Sequence, residues 1–322
     1  MKLIKTEDAV GHVLCHDMTQ IIKDQYKDAR FRKGHVVTEE DIPVLLSMGK
    51  EHLYVWEMTS GMVHENDAAE RLLALCGQEN MIRSGVKEGK IELKAACDGV
   101  FLVDSARLVA VNSQDEVMIA TRKGGMAVRE GDKLAGMRVI PLIIEEEKLR
   151  KAEQAAGDKP LLSLKPYVRK TACIVATGGE VKKGLIKDTF TPIVIDKLKT
   201  YGIETLEVVY SGDGVENVRD AVLTMREKKP DMILCTGGMS VDPDDNTPGG
   251  IKAAGANIIA YGAPVLPGAM FLLGYFDDGM PVMGLPGCVM YAGATVFDLV
   301  LPKIAADVPV TRAGLAALGE GG

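Results

Sequence analysis

The stretch ACIVATGGEVKKG, residues 172–184, carries an apolar strand straight into a Gly-Gly turn, and DMILCTGGMSVDPDD, residues 231–245, repeats that arrangement. Between them the pattern predicts a helix over 191–201, a strand at ETLEVVYS and a second helix over 215–228. Short apolar strands that alternate with amphipathic helices are typical of a parallel sheet covered by helices on both faces. The sequence therefore predicts an α/β fold for this half of the chain.

The length and composition of the chain bound its class. With 322 residues, 47% of them hydrophobic and 26% charged, the chain is long enough for two globular domains and too apolar for a disordered protein. A formal net charge of −7 argues against a surface that binds nucleic acid or an anionic membrane, so we expect neither as a partner. No signal peptide or membrane span is predicted, and six widely spaced cysteines are typical of reduced thiols in a cytoplasmic protein.

A charged, helix-forming run followed by two prolines marks the predicted domain boundary. The expected organisation is an N-terminal α+β region over 1–150, a linker over 151–169, an α/β domain over 170–310 and a tail over 311–322.

The N-terminal region combines two predicted helices, near 39–48 and 67–75, with several short strand-like runs. The runs KIELKAACDGVFLV, ARLVAVNS, EVMIATR and KLAGMRVIPLII are separated by turn sequences, which favours an antiparallel arrangement. We therefore expect a small β-barrel or sandwich over about 90–144.

Three glycine-rich turns follow predicted strands of the α/β domain, the third being GLPGCVMYAG at residues 284–293. Glycine lacks the Cβ that would block close approach, so backbone N–H groups in such turns can converge on an anion. Loops at the carboxyl ends of parallel strands meet at one edge of the sheet, and this predicts a ligand pocket there. Any one of these turns alone is more often an ordinary tight turn. Cys288, in the third loop, is either an activated nucleophile or a packing thiol.

Carboxylates follow the second turn closely, at Asp242, Asp244 and Asp245. Amides beside carboxylates would suit a phosphate-bearing ligand with Mg²⁺, the amides binding the phosphate and the carboxylates the metal or its water shell. Alternatively, Asp244 or Asp245 caps the helix that follows through Thr247, which needs no ligand. The sequence leaves both interpretations open.

Residues from Lys170 to about Ala306 resemble the molybdopterin-binding domain of molybdenum-cofactor biosynthesis enzymes, most closely molybdopterin molybdenumtransferase. TGGEVKKGLIKDT is similar to the family's TGDEL…G.I.DTN segment, SGDGVENVRDAV to its D-x4-L/V segment, and TGGMSVDPDDNT to its GGVSVG loop. APVLPGAMFLLG followed by GLPGCVMYA is similar to its KPGKP…GLPGNPVSA pair. The resemblance implies a molybdopterin-binding fold and suggests a homodimer.

Roles for individual residues also follow from the resemblance. Glu180, Asp213 and Asp245 stand where the family has catalytic carboxylates, and Asp213 and Asp245 would also bind Mg²⁺. The simpler interpretations are a solvated loop acid for Glu180 and N-caps for Asp213 and Asp245. The residues implied to bind molybdopterin are Thr177, Gly178, Gly179, Asp188, Thr236, Gly237, Gly238, Ser240, Thr247, Pro286, Gly287 and Cys288.

The sequence departs from the family pattern where charge matters. Leu266 and Ala269 stand in place of two lysines that meet anionic oxygens in the family, Asp242 stands in place of a glycine, and Tyr291 in place of a serine. The family's SAMDGYA loop, which contributes a further catalytic aspartate, has no counterpart in the sequence, and its small C-terminal β-domain is not expected.

The leading interpretation is a cytoplasmic protein of molybdenum-cofactor biosynthesis that binds molybdopterin or adenylylated molybdopterin and, with Mg²⁺, inserts molybdate with release of AMP. One alternative is a non-catalytic molybdopterin-binding module for sensing, storage or transfer. Another is a nucleotide pyrophosphate hydrolase, because TGGE…G.I.DT also resembles a domain of competence/damage-inducible proteins. The choice between molybdenum and tungsten stays open.

Overall fold

The computed structural model describes residues 2–22, 26–56, 61–240, 242 and 245–321. The chain divides into two compact units. The first comprises Met1–Ala96, Val103–Gly124 and Gly131–Ser163, and the second comprises Cys97–Leu102, Gly125–Glu130 and Leu164–Gly322.

The part of the chain before residue 167 contains short strands and four described helices. The helices are α1 (Asp41–Ser47), α2 (Glu65–Leu75), α3 (Ser105–Asn112) and α4 (Glu146–Ala156). The strands are β1 (Lys2–Lys5), β2 (Val13–Leu14), β3 (Met18–Ile22), β4 (Tyr26–Phe31), β5 (His52–Trp56), β6 (Met62–His64), β7 (Met81–Arg83), β8 (Ile91–Ala95), β9 (Gly99–Val103), β10 (Val117–Thr121), β11 (Met126–Val128), β12 (Lys133–Val139), β13 (Ile143–Glu145) and β14 (Leu162–Pro166).

The first unit is built from small antiparallel sheets, which confirms its predicted α+β character. The described sheets have the strand orders β1-β5-β2, β3-β4, β13-β6 and β10-β12-β8-β7. A further sheet, β11-β9-β14, is formed mostly by residues of the second unit. Residues 151–169, the predicted linker, include the end of α4 and all of β14.

The prediction of a strand at ARLVAVNS is wrong, because these residues form most of α3. The Asp104 side chain caps this helix by accepting a hydrogen bond from the Arg107 backbone N–H at 3.1 Å. The Arg107 guanidinium also donates to Asp104 at 2.8 Å. An N-cap of this kind satisfies a backbone N–H group that has no partner within the helix. The resulting stabilisation of the helix outweighs the preference of the β-branched residues in this segment for a strand.

The second unit contains the predicted α/β fold. Its further strands are β15 (Thr171–Thr177), β16 (Glu204–Ser211), β17 (Met232–Thr236), β18 (Asn257–Tyr261), β19 (Leu272–Tyr275) and β20 (Pro281–Leu285). Its helices are α5 (Gly179–Lys182), α6 (Phe190–Lys199), α7 (Val215–Glu227), α8 (Thr247–Ala253), α9 (Val296–Ala305) and α10 (Arg312–Ala316). No helix in the described ranges is long and apolar enough to cross a membrane.

A six-stranded sheet of order β16-β15-β17-β20-β19-β18 forms the centre of this unit. The first four strands in that order run parallel, whereas β19 and β18 are antiparallel to their neighbours. Successive side chains of a strand point to opposite faces. Accordingly, Ile174 of β15 packs in a cluster with residues of α6 and α9, and Val175 packs in a cluster with residues of α7 and α8. Helices therefore cover both faces of the sheet, as predicted.

The end of the second unit is packed rather than extended. Residues 311–322, the predicted tail, contain α10, whose Leu315 is 2% exposed and belongs to the core cluster with α9.

A capping box holds the start of α9, and we expect it to stabilise the second unit. The Asp298 carboxylate accepts hydrogen bonds from the Thr295 backbone N–H at 2.7 Å and its hydroxyl at 3.0 Å, and it pairs with Lys197. Asp298→Ala should lower the free energy of unfolding by about 1–2 kcal/mol. Urea denaturation, monitored by circular dichroism, measures this loss.

The matched control is Asp196→Ala, because the Asp196 side chain is 76% exposed and its ion pair is with Lys199 on the same helix. Its loss should stay below about 0.5 kcal/mol. Equal losses for the two variants would show that the capping box contributes nothing beyond a surface ion pair.

Candidate functional site

The three glycine-rich turns lie next to one another at the carboxyl edge of the central sheet. They follow β15, β17 and β20, which are adjacent and parallel in that order. Chain direction in a parallel sheet brings the ends of these strands to one edge, as the sequence pattern predicts.

Threonine hydroxyls join the first turn to the second. Thr177 Oγ1 donates to the Thr236 carbonyl at 2.8 Å, and Thr247 Oγ1 donates to the Gly237 carbonyl at 2.9 Å. The two hydroxyl oxygens lie 3.1 Å apart. A Cβ at Gly237, whose φ is +82°, would lie 2.6 Å from the Thr177 carbonyl oxygen. Glycine at this position is therefore required by the close approach of the two turns.

A pocket of about 370 Å³ opens at this edge. Six of the residues implied to bind molybdopterin line it, and Asp245 lines it too. The six are Gly237, Gly238, Ser240, Pro286, Gly287 and Cys288. The other six residues implied to bind molybdopterin do not line the pocket, namely Thr177, Gly178, Gly179, Asp188, Thr236 and Thr247. The proposed catalytic acids Glu180 and Asp213 do not line it either.

Sequence reasoning missed five residues that line the pocket, namely Met239, Gly268, Ala269, Met270 and Tyr291. Ala269 and Tyr291 could have been found, because they occupy the places of a lysine and a serine in the resembled motifs. The methionines and Gly268 carry no chemical signal of their own. Their place in the pocket depends on how the loops pack.

Two of the three proposed catalytic carboxylates, Asp213 and Asp245, accept hydrogen bonds from loop amides. Both oxygens of Asp213 accept from the Gly179 N–H, at 3.1 and 3.2 Å. Asp245 Oδ2 accepts from the Ser240 N–H at 2.8 Å. Glu180 lies exposed on α5, and Asp244 lies outside the described residues.

The alternative interpretation of Asp213 and Asp245, as N-caps of the helices that follow them, is wrong. The N-cap residues of α7 and α8 are Gly214 and Asn246, and neither cap is made by a side chain. Asp213 and Asp245 instead bind back to the preceding turns. Within the described ranges, no group of three or more His, Cys, Asp or Glu side chains could hold a metal ion.

Asp188 is placed to begin a helix rather than to line the pocket. Its Oδ1 accepts from the backbone N–H groups of Phe190 at 2.9 Å and Thr191 at 3.0 Å, at the start of α6. Burial acts to raise the pKa of Asp188, but hydrogen bonds from Thr191 and Phe190 outweigh it and lower the pKa below its ordinary value.

The pocket is weakly polar. None of its described lining residues is a lysine or arginine, and Met239, Met270 and Tyr291 supply much of the wall. The Tyr261 hydroxyl donates to the Met239 carbonyl at 3.0 Å, and burial together with Asp245 raises the pKa of Tyr261. Anions entering this pocket therefore meet the Asp245 carboxylate and, among the described lining residues, no cationic side chain.

Burial also raises the pKa of the Cys288 thiol, which argues against a role as nucleophile. At pH 7 we expect Cys288 to react with iodoacetamide more slowly than glutathione does, with a rate that still rises above pH 9. Alkylation followed by peptide mass mapping, with Cys288→Ala to assign the peptide, measures this rate. Labelling faster than that of glutathione at pH 7 would contradict a half-buried, protonated thiol.

Two parts of the chain match models of protein families. Residues 173–306 match the family model described as a probable molybdopterin binding domain, and residues 3–57 match a domain of unknown function, DUF8806. The first match covers β15 to α9, including all three glycine-rich turns.

Individual relatives match only a short part of this chain. A CinA-like protein of Mycobacterium tuberculosis (strain ATCC 25177 / H37Ra) is 33% identical over 76 residues, which are 24% of this chain and 18% of that protein. A CinA-like protein of Petrotoga mobilis is 32% identical over 76 residues, 24% of this chain and 19% of its own length. The chain thus spans less than a fifth of these relatives.

Among solved structures, the molybdopterin biosynthesis Mog protein of Mycobacterium ulcerans aligns with a TM-score of 0.36 and 20% identity, over 43% of this chain and 97% of that chain. The tungsten cofactor synthesizing protein MoaB of Pyrococcus furiosus aligns with a TM-score of 0.37 and 17% identity, over 45% and 98%. The family assignment rests on the match to the family model and on the motifs within it. The second unit therefore contains, at residues 173–306, a probable molybdopterin-binding domain.

Proposed function

We propose that the pocket at the carboxyl edge of the central sheet binds molybdopterin, and that this domain holds or transfers the cofactor without transforming it. The observation that carries the proposal is the pocket itself, which the second and third glycine-rich turns of the matched domain form together with residues 268–270. A volume of about 370 Å³ lies within the range of small-molecule sites, roughly 300–1,000 Å³.

The lining supplies two kinds of contact. Met239, Met270 and Tyr291 offer apolar and aromatic surface on which a planar pterin ring can pack. The Ser240 hydroxyl and the Asp245 carboxylate are polar groups at the same pocket that can bind ring N–H donors. Phosphate would depend on backbone N–H groups of the glycine loops, because the described lining has no cationic side chain.

A second candidate is insertion of molybdate with release of AMP from adenylylated molybdopterin. The presence of Asp245 in the pocket favours it, because the resembled family has a catalytic carboxylate at this position. The described residues do not fit the Mg²⁺ that this reaction would use. Both oxygens of Asp213 are bound by an amide, and Asp213 does not line the pocket with Asp245.

Calorimetric titration with molybdopterin and adenylylated molybdopterin, with and without Mg²⁺ and molybdate, distinguishes these functions. We expect molybdopterin to bind and no AMP to form over many hours, as measured by chromatography of the mixture. Asp245→Asn should weaken binding by about tenfold, since a charge-assisted hydrogen bond contributes about 1.5–3 kcal/mol.

Each other outcome selects a different function. AMP release that depends on Asp245 would establish the transferase. Turnover of ADP-ribose or another nucleotide pyrophosphate would establish a hydrolase. No binding of any of these compounds would contradict a molybdopterin site.

Ala269 stands in place of a lysine of the resembled family, and restoring that lysine tests whether the lack of cationic side chains at the pocket limits anion binding. Ala269→Lys places an ammonium group at the pocket, and we expect it to tighten binding of adenylylated molybdopterin by about tenfold, or 1.4 kcal/mol. The control is Ala106→Lys, the same change at an exposed position of α3 in the first unit. An equal gain in both variants would show that net charge, rather than charge at the pocket, sets the affinity.

A further inference from the structure

The first unit contains a charged cavity that takes no part in the function proposed above. Its volume is about 270 Å³. Three basic side chains, Arg32, Lys33 and Arg138, line it together with the carboxyl group of Glu65. Leu142 adds apolar surface.

Glu65, the first residue of α2, is unusual within this cavity. Its side chain is only 10% exposed, and none of the described residues donates a hydrogen bond to its carboxyl oxygens. Its ion-pair partner there is Arg138, whose Nη2 lies 3.8 Å from Oε2, beyond hydrogen-bond distance. The Glu65 oxygens are not among the described buried atoms without a partner, so they are open to the solvent of the cavity, where a ligand could contact them.

Two glycines make room for this carboxyl group. A Cβ at Gly89 would lie 2.6 Å from Glu65 Oε2, and a Cβ at Gly34 would lie 3.2 Å from Oε1. Both glycines have left-handed φ values, +66° and +91°. The backbone on two sides is therefore shaped around a carboxyl group that has no hydrogen-bond donor.

The remaining charges of the cavity have partners that leave two basic groups facing Glu65. Arg32 pairs with Glu88 at 3.7 Å. Arg138 donates through Nε to the Val139 carbonyl at 3.1 Å, and among the described residues its terminal nitrogens have the long contact to Glu65 alone. The Asp17 carboxylate accepts from the backbone N–H of Lys33, not from its ammonium group.

Burial raises the pKa of Glu65, and the charges of His64, Arg138 and Lys33 oppose that rise while Glu88 adds to it. Without a ligand the carboxyl group thus holds its proton to a higher pH than usual. A cationic N–H donor beside it would favour the ionised form and complete the missing hydrogen bonds.

We propose that this cavity binds a small zwitterion of the α-amino-acid class, with its ammonium group on Glu65 and its carboxylate on Arg138 and Lys33. The 3.8 Å separation between the Glu65 and Arg138 groups requires a ligand whose cation and anion are adjacent. An α-amino acid meets this requirement because one carbon joins the two groups. The volume, below the roughly 300–1,000 Å³ of larger ligand sites, fits such a molecule.

Ligand-observed NMR on the full chain, with each of the twenty standard amino acids, tests the proposal. We expect at least one to bind, and betaine and acetate to bind at least tenfold more weakly. Betaine lacks N–H donors, and acetate lacks the cation. The proposal would be overturned if none of the twenty amino acids bound at about 10 mM. It would also be overturned if acetate or inorganic phosphate bound as tightly as the best amino acid.

Glu65→Gln keeps the shape of the side chain and removes its charge. It should weaken amino-acid binding at least tenfold, while the melting temperature of the free protein stays equal or rises, because an uncompensated buried carboxyl group is gone. The control is Glu147→Gln, an exposed acid in the first turn of α4, which should change neither property. A lower melting temperature for Glu65→Gln, or unchanged binding, would assign Glu65 a purely structural role.

The pH dependence gives a readout specific to the ionised carboxylate. Ionised Glu65 attracts an ammonium group by its charge as well as by hydrogen bonds, so affinity should fall as the pH is lowered through its raised pKa. Over the same range, the residual binding of Glu65→Gln should stay flat. A parallel fall in both proteins would place the titrating group elsewhere and contradict the proposal.

Discussion

The close approach of the first two Thr-Gly-Gly turns is the constraint on which the candidate site depends. The hydroxyl of Thr177 at the end of β15 binds the Thr236 carbonyl at the end of β17, and Gly237 passes so near Thr177 that no side chain fits. Adjacent parallel strands bring these ends together, and the hydroxyl network fixes their separation. The second turn then leads directly into the loop that carries Ser240 and Asp245. A larger residue at position 237 would displace that loop and the pocket wall with it.

Acidic residues near the site largely hold loops in place. Asp213 binds the first turn, Asp245 binds the second, and Asp188 begins α6. A carboxylate that accepts backbone N–H bonds is stabilised in its ionised form, but it has fewer lone pairs left for a metal or a substrate proton. Two of the three residues that resemble a catalytic set, Asp213 and Asp245, thus have a structural role. This is the physical reason for favouring binding of molybdopterin over its conversion.

The alternation of apolar strands and helices made the second half of the fold predictable, because its central strands are almost wholly buried and its longer helices bury a periodic apolar face. The segment ARLVAVNS was mispredicted because its helix depends on one capping side chain, Asp104, which lies just outside the apolar run. The site was partly predictable. Glycine turns on adjacent parallel strands must share an edge, so Gly237, Gly238 and Gly287 could be placed near a pocket. Met239 and Met270 could not, since apolar side chains look the same in a core and in a pocket wall.

Glycine has different structural roles in the two units, and this difference affects how each cavity can bind a ligand. At Gly237 the missing side chain lets two backbone segments touch, and the resulting contacts are satisfied within the protein. At Gly34 and Gly89 the missing side chains make space for the carboxyl group of Glu65, which gains no hydrogen bond from that space. The first arrangement stabilises the fold as it stands. The second costs free energy in the free protein, and a donor supplied from outside would recover it. Preorganised groups of this kind bind their ligands well because the unfavourable burial has already occurred on folding.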